Sequence, residues 1–376
     1  MASSQSGNTP RTIQVLATLL LAALLGPLAA QTAPPRSDGP YVFWEGREAR
    51  VLNVRDGKAA ETRLRAPYDL DLPGLGLLHL EPGPPAPEMA SLPLPERIAA
   101  LSDVHGNLAG MTALLQAHGV IDAKRQWTFG RGHLVVAGDV FDRGGRVTDC
   151  FWLLRYLEDQ ARKAGGRVHM ILGNHEVLAL RGDERYLHQD YQELQKKLLG
   201  LDQKTLYGPT TELGRWLRSR PVMLRLGVFL FVHGGPSPAM VVEEQDLEAL
   251  NAAFRRTLDE EGKPRLQGRD GPIWYRGLIP GMEAKRPDAT DQEVESLLKA
   301  FTVRAIVVGH STLKTGITTF HGGRICGIDA NLQAGGSGEL WIFQKGACYK
   351  GFADGSRLPL EMKGPFNRTW QIASGV

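Results

Sequence analysis

The sequence predicts an α/β fold with two β-layers, on three observations. An apolar strand, a polar ligand-type residue and a helical stretch follow one another three times between Arg97 and Ala179. After residue 222 the chain returns to strand-and-turn sequence, enough for a second layer facing the first. A proline-dense stretch, Glu81 to Pro95, separates this region from a shorter β-rich one before it; it cannot be helix or inner strand.

Residues 1–30 read as an export signal. Arg11 supplies a positive start, Ile13 to Leu28 is apolar, and Leu28-Ala29-Ala30 ends in small residues. The apolar run is too short and too Gly/Pro-terminated to make a stable membrane span, and no second stretch is long enough. The protein is therefore expected outside the cytoplasm, periplasmic or secreted, with an uncleaved anchor as the alternative. Residues 31–95 are expected to hold a Pro/Ser-rich leader, a small β appendage and the Pro-rich linker. The appendage rests on Tyr41-Val42-Phe43-Trp44, on the alternating Ala49 to Val54, and on the turn pair Asp56-Gly57.

Residues 96–350 form the expected catalytic region. Arg97 to Leu101, His133 to Ala137 and Arg167 to Leu172 read as buried strands. Ala109 to His118 and Thr148 to Ala164 read as helices, the second with Leu153, Leu154 and Leu157 on one face. Glu184 to Arg220 is polar and helical, an insertion expected to cap the site. Val222 to Val232 is strand, broken at Leu226-Gly227. Gln245 to Leu258 is helix, Ala305 to Val308 strand, Gly322-Gly323 a hairpin turn and Leu340 to Phe343 a last strand. Residues 351–376 read as a tail.

Charge narrows the function. The net charge of the 376-residue chain is +3, and Arg11 accounts for one unit of it. That near balance, with no long basic run, excludes a broad nucleic-acid surface. Cys150, Cys326 and Cys348 have no metal-type spacing. Export would permit a Cys326–Cys348 disulfide; three buried, unbonded thiols are the equal alternative.

Six segments carry the chemistry: Asp103-Val104-His105-Gly106-Asn107, Gly138 to Gly144, Gly173-Asn174-His175-Glu176, His233-Gly234-Gly235, Trp274-Tyr275-Arg276-Gly277 and Gly309-His310. Asp103 and His105 are two apart on a strand-to-loop turn and can face one metal. Asp139 has two carboxylate oxygens and can bridge a pair. Asn174, His233 and His310 complete a second site. Two divalent cations about 3.5–4 Å apart clamp both oxygens of an in-line displacement and acidify a water. Arg143 and Arg276 follow turns and suit phosphate oxygens. His175 should lie near the metals as general acid, with Asp142 fixing its tautomer. A lone His after an apolar strand is usually a core residue; six such segments in order are not coincidence. His118, His133, His169, His188 and His321 lack this context and are assigned to the surface or to supporting contacts, and Trp44, Trp127, Trp152 and Trp216 to packing.

The order Asp-x-His-Gly, Gly-Asp-x-x-Asp-Arg-Gly, Gly-Asn-His-Glu, His-Gly-Gly, Gly-His resembles the phosphoprotein phosphatase family of metallophosphoesterases from Ile98 to Asp329. Gly182 to Tyr186, Gly214 to Pro221 and Pro272 to Gly277 resemble its Shewanella-like branch. The resemblance implies a calcineurin-like fold, a central β-sandwich flanked by helices, with two metals at the sheet edge. It implies Asp103, His105 and Asp139 on the first metal and Asp139, Asn174, His233 and His310 on the second. Asp142, Arg143, His175 and Arg276 take the roles already given. Manganese is expected ahead of iron or zinc. The expected reaction is direct hydrolysis of a phosphorylated protein or small phosphomonoester, on phosphotyrosine, phosphoserine or phosphothreonine. Cleavage of dinucleoside polyphosphates or phosphodiesters is the alternative, and a non-catalytic phosphoprotein-binding module a remote one.

Overall fold

The computed structural model describes residues 37–364 and 366, apart from 241–245, 263, 284, 286, 334 and 335. The expected export signal and the last ten residues lie outside the described residues. Among those described, no helix is long and apolar enough to cross a membrane.

Strands β1 (Asp38–Glu45), β2 (Glu48–Arg55) and β3 (Lys58–Leu64) make an antiparallel sheet, and β4 (Asp69–Leu72) with β5 (Gly76–His79) a hairpin. Next come β6 (Ser91–Leu92), β7 (Arg97–Leu101), helix α1 (Leu108–Ala117), β8 (His133–Val136), helix α2 (Val147–Lys163), β9 (Arg167–Met170) and helix α3 (Asn174–Leu180). The second half adds β10 (Met223–Leu226), β11 (Phe229–Val232), β12 (Ala305–Val308), β13 (Thr318–Phe320), β14 (Ile325–Gly327), β15 (Leu340–Gln344), β16 (Ala347–Gly351) and β17 (Arg357–Leu360).

These strands form two six-stranded sheets, ordered β17-β16-β15-β7-β8-β9 and β13-β14-β12-β11-β10-β6. The central strands β11 and β12 are apolar throughout and buried because both faces are covered, whereas β13 is half-buried and the edge strand β17 mostly exposed. Ile98, Ala100, Val135, Phe229, Phe231 and Val307 share one core with Trp341 and Phe343, between the sheets. Their neighbours in the chain, Ala99, Leu101, Leu134, Val136, Leu230, Val232 and Ile306, belong to the other core, under the helices. The period of two that alternates faces along a strand thus sorts every second residue into a different core. Helix α1 starts where Asn107 accepts the Gly110 N–H at 3.0 Å, an N-cap that fixes the exit from the first motif.

Strands β7, β8 and β9 run parallel, as do β11 and β12, so the motif-bearing C-terminal ends collect at the sheet edge.

The N-terminal strands are not detached from this core. Tyr41, Trp44, Val51 and Leu72 share one buried cluster with α2 and the central strands. The Trp152 indole donates to the Pro40 carbonyl at 2.9 Å. The Pro-rich linker also carries a strand: Ser91-Leu92 pairs parallel to β10. Two residues are too short for a periodic signal. Glu88 in the linker reaches inward to His169 and to Arg220, which also meets Glu158 at 2.8 Å. His169 contacts His133 at 2.9 Å, so both belong to this supporting network.

The 184–220 insertion is largely helical; its first residues reach the site, with the Tyr186 ring 5.1 Å from that of His175, while its later aromatics pack elsewhere. Tyr207 packs against Phe141 (4.7 Å) and Tyr41 (6.2 Å), and Trp216 against Phe151 (6.2 Å). Glu212 accepts from the Trp44 indole at 2.9 Å. The insertion wedges the N-terminal sheet onto the catalytic layers. Tyr191, Tyr207 and Trp216 are buried, which a reading weighted by the charged residues understates, while Tyr186 is exposed. The expected tail boundary at 350 also moves: β17 adds an edge strand through Leu360. Pro359 reads as a breaker, yet an edge strand tolerates it. Cys326 and Cys348 are buried and free, as is Cys150; the disulfide alternative is absent.

Candidate active site

Six of the ten candidate residues hold left-handed backbones. Asp103, His105, Asp139, Asp142, Arg143 and His310 have φ between 44° and 68°. Such conformations cost about 1–3 kcal/mol each and persist only where surrounding contacts impose them. Glu176 imposes one set. Its buried carboxylate accepts N–H bonds from Asp139, Val140, Phe141 and Gly173 at 2.8–3.2 Å. Gly309 permits another close approach, since a Cβ there would lie 1.9 Å from the Ser102 hydroxyl and 2.8 Å from Asp103 Oδ1.

The ligand side chains converge. His233 Nε2 is 3.2 Å from Asp139 Oδ2 and 3.0 Å from Asn174 Oδ1. His105 Nε2 is 3.8 Å from Asp139 Oδ2 and 3.9 Å from Asp103 Oδ2. Two groups of possible ligands result, His105–Asp139–His175 and Asp139–His233–His310, each with its donor atoms within 4.8 Å of one another. Asp139 is common to both, as a bridge requires. All six predicted ligands are buried. Asp103 sits beside the first group; its Oδ1 accepts the Ser102 hydroxyl and the His310 N–H, leaving Oδ2 toward His105. His175, expected close to the metals without binding one, has its Nε2 3.8 Å from Asp139 Oδ2, within reach of the first group.

The imidazoles are oriented as ligands. His105 Nδ1 contacts the Phe141 carbonyl at 2.7 Å and His233 Nδ1 the Ala137 carbonyl at 2.8 Å, so each turns Nε2 inward. The Nε2 atoms of His105 and His310 are buried without a hydrogen-bond partner. Buried polar atoms seldom stay orphaned, and a cation is the partner that fits. Burial pushes His105 down to about 4 and His310 well below its usual range, the neutral form that coordinates. Burial also drives Asp103 up, with Asp329 adding like charge, while burial of Asp139 is overcome by His233, His175 and His105, which hold it low. Burial works against a charged His233, yet Asp139 raises it to about 10. Nitrogen and oxygen donors of this kind fit two divalent cations sharing Asp139.

Around this centre, His175 Nδ1 lies 2.6 Å from Asp142 Oδ2. Arg276 is half-buried and donates to the His310 carbonyl. Arg143 is exposed and donates to Gln333. Sequence reasoning missed four neighbours. Glu176 was visible only as a motif letter. Asp329, fully buried, accepts the Thr312 hydroxyl at 2.7 Å. Tyr186 places its ring 5.1 Å from that of His175, and Trp274 lies 5.6 Å from His310. The Asp-Ala-Asn after β14 offered a weak signal for Asp329; nothing in local pattern marked the ring contacts.

Three comparisons bear on identity. The chain is 31% identical over 269 residues to an uncharacterized protein of Schizosaccharomyces pombe, covering 68% of this chain and 79% of that one. It is 26% identical over 289 residues to Shewanella-like protein phosphatase 2 of Arabidopsis thaliana, covering 64% and 72%. A solved structure, the cold-active protein-tyrosine phosphatase of a psychrophilic Shewanella, matches with TM-score 0.80 at 32% identity, covering 87% of this chain and all of that one. Residues 96–312, more than half the chain, match the family described as Calcineurin-like phosphoesterase. The two-sheet fold and a ligand order running through both halves agree with that match, and this chain is a member of the calcineurin-like metallophosphoesterase family, hydrolases of phosphoester bonds.

Proposed function

We propose that this enzyme is an exported phosphoprotein phosphatase acting on phosphomonoesters, with phosphotyrosine at least as good a substrate as phosphoserine. The observation that carries the reaction class is the pair of ligand groups joined at Asp139. A divalent pair held by Asp103, His105, Asp139, Asn174, His233 and His310 would supply an acidified water and charge for the phosphate oxygens. Arg143 and Arg276 supply guanidinium donors for those oxygens, positioning the phosphate and neutralising its charge. His175 Nε2 gives a proton to the departing oxygen while Asp142 holds Nδ1, which fixes the tautomer and the ring. The Tyr186 ring, 43% exposed, flanks His175 at the mouth and suits an aromatic leaving group. The tyrosine phosphatase activity named for the Shewanella neighbour supports the same substrate.

Manganese is the preferred metal, with iron or zinc acceptable to the same donors. The signal-like residues 1–30 support a periplasmic or secreted site of action. The test is a panel of phosphotyrosine, phosphoserine and phosphothreonine peptides beside diadenosine tetraphosphate, with each metal in turn. The highest kcat/KM should fall on a phosphopeptide. A higher value for the dinucleotide would replace this reading.

A further inference from the structure

A groove of about 750 Å³ opens directly beside the reaction centre, where Asn174 and Arg276 form its inner end. Val177, Leu178, Met282 and the Trp274 indole give it apolar surface. Its charge is one-sided. Among the described residues, Arg181, Arg185, Arg269 and Lys285 join Arg276 along it, against Asp183 and Glu283. The whole chain carries +3, so an excess of this size in one groove is a local concentration of charge.

The acids do not cancel that excess. Asp183 is taken up by Arg185 through paired contacts at 2.7–3.0 Å. Glu283 meets Arg269 at 3.7 Å, and the arginine is 57% exposed, a weak pair in water. Arg181 donates through its terminal nitrogens to the carbonyls of Thr257, Glu260 and Gly262, neutral acceptors that leave its charge. A cleft lined by one sign of charge focuses its field and gathers ligands of the opposite sign.

We propose that this groove binds the segment flanking the phosphorylated residue of an acidic phosphoprotein. The phosphate enters at the metal ligands, an apolar neighbour covers Trp274 and Met282, and Asp or Glu residues of the substrate lie beside Arg269 and Lys285. The inference rests on the phosphoprotein reading above. The volume is in the range of a site that encloses several groups at once, larger than a lone phosphate requires.

The test measures kcat/KM for three phosphopeptides that share the phosphorylated residue and differ only in flanks of Glu, Gln or Lys, beside p-nitrophenyl phosphate. Wild type is compared with the double variant R269E/K285E and with Lys58→Glu on the exposed β3 strand. Wild type should prefer the Glu flanks over the Lys flanks by about tenfold at low salt, since several exposed charge pairs act together. The preference should shrink in about 0.5 M salt. The double variant should bring the Glu-to-Lys ratio to about one or invert it, and Lys58→Glu should keep it. Should the double variant melt early, Lys285→Gln reads the same ratio with a smaller change. Equal kcat/KM for the three flanks, or a ratio untouched in the double variant, overturns the groove assignment and leaves the phosphoprotein reading standing. Cleavage of p-nitrophenyl phosphate with no cleavage of any peptide overturns both.

Discussion

The Nδ1 atom of His175 lies 2.6 Å from Oδ2 of Asp142, and both residues are buried. Burial lowers the imidazole, but Asp139 and Asp142 outweigh it and leave His175 above its usual value. The contact fixes which nitrogen faces the substrate. His175→Ala should therefore lower kcat more on a phosphotyrosine peptide than on p-nitrophenyl phosphate, by about 10²–10⁴ on the peptide, because an acid helps only a basic leaving group. Equal losses on both substrates would remove His175 from proton transfer and favour a ligand role. Asp142→Asn should give a smaller loss of the same pattern, about 10–100-fold.

Glu176 supports the bridge rather than the substrate. Its four backbone partners include the Asp139 N–H at 2.8 Å, and Asp139 has φ 59°. Glu176→Gln replaces one acceptor oxygen by an amide that cannot accept. We expect a loss of about 1–3 kcal/mol in chemical unfolding together with lower metal affinity. Unchanged stability would show that the turn holds itself.

Gly309 is a steric prediction. A methyl group there would overlap the Ser102 hydroxyl and crowd Asp103. Gly309→Ala should reduce metal content and activity together while the far-UV spectrum stays native. Full metal occupancy in the variant would contradict the close approach.

Asp38 gives a pH dependence remote from the metals. Its carboxyl is enclosed by Tyr41 and Thr148, and burial raises it to about 6 against an ordinary value of 3.8. The folded protein thus holds this proton more tightly than the unfolded chain. Stability contributed at this position is present below about pH 4 and is lost as pH rises to about 6. Asp38→Asn should remove the loss, so the variant gains about 3 kcal/mol relative to wild type between pH 4 and pH 7. Parallel thermal-melting curves for the two proteins across that range would refute it.

The central strands of the catalytic layers were legible to within two residues because their apolar runs serve two cores at once; Arg97–Leu101 and Ala305–Val308 coincide with β7 and β12. The metal-type residues were legible because their spacing after strand ends is itself the chemistry. Non-local contacts were not. Tyr186 meets His175, and Trp216 meets Phe151, only through the folded insertion, which no periodicity encodes. The two-residue β6 and the proline-bearing edge strand β17 escaped for the opposite reason: their pairing partners, not their own side chains, make them strands.

The central claim is that a divalent pair bridged by Asp139 drives phosphoester hydrolysis. The direct measurement is phosphate release from p-nitrophenyl phosphate by chelator-stripped protein, titrated with manganese, with bound metal counted in parallel for wild type and Asp139→Asn. Activity should be absent in the stripped protein and return as occupancy approaches two ions per chain. Asp139→Asn should bind less metal and recover almost no activity. Full hydrolysis by the stripped protein, or wild-type activity in Asp139→Asn, would contradict it.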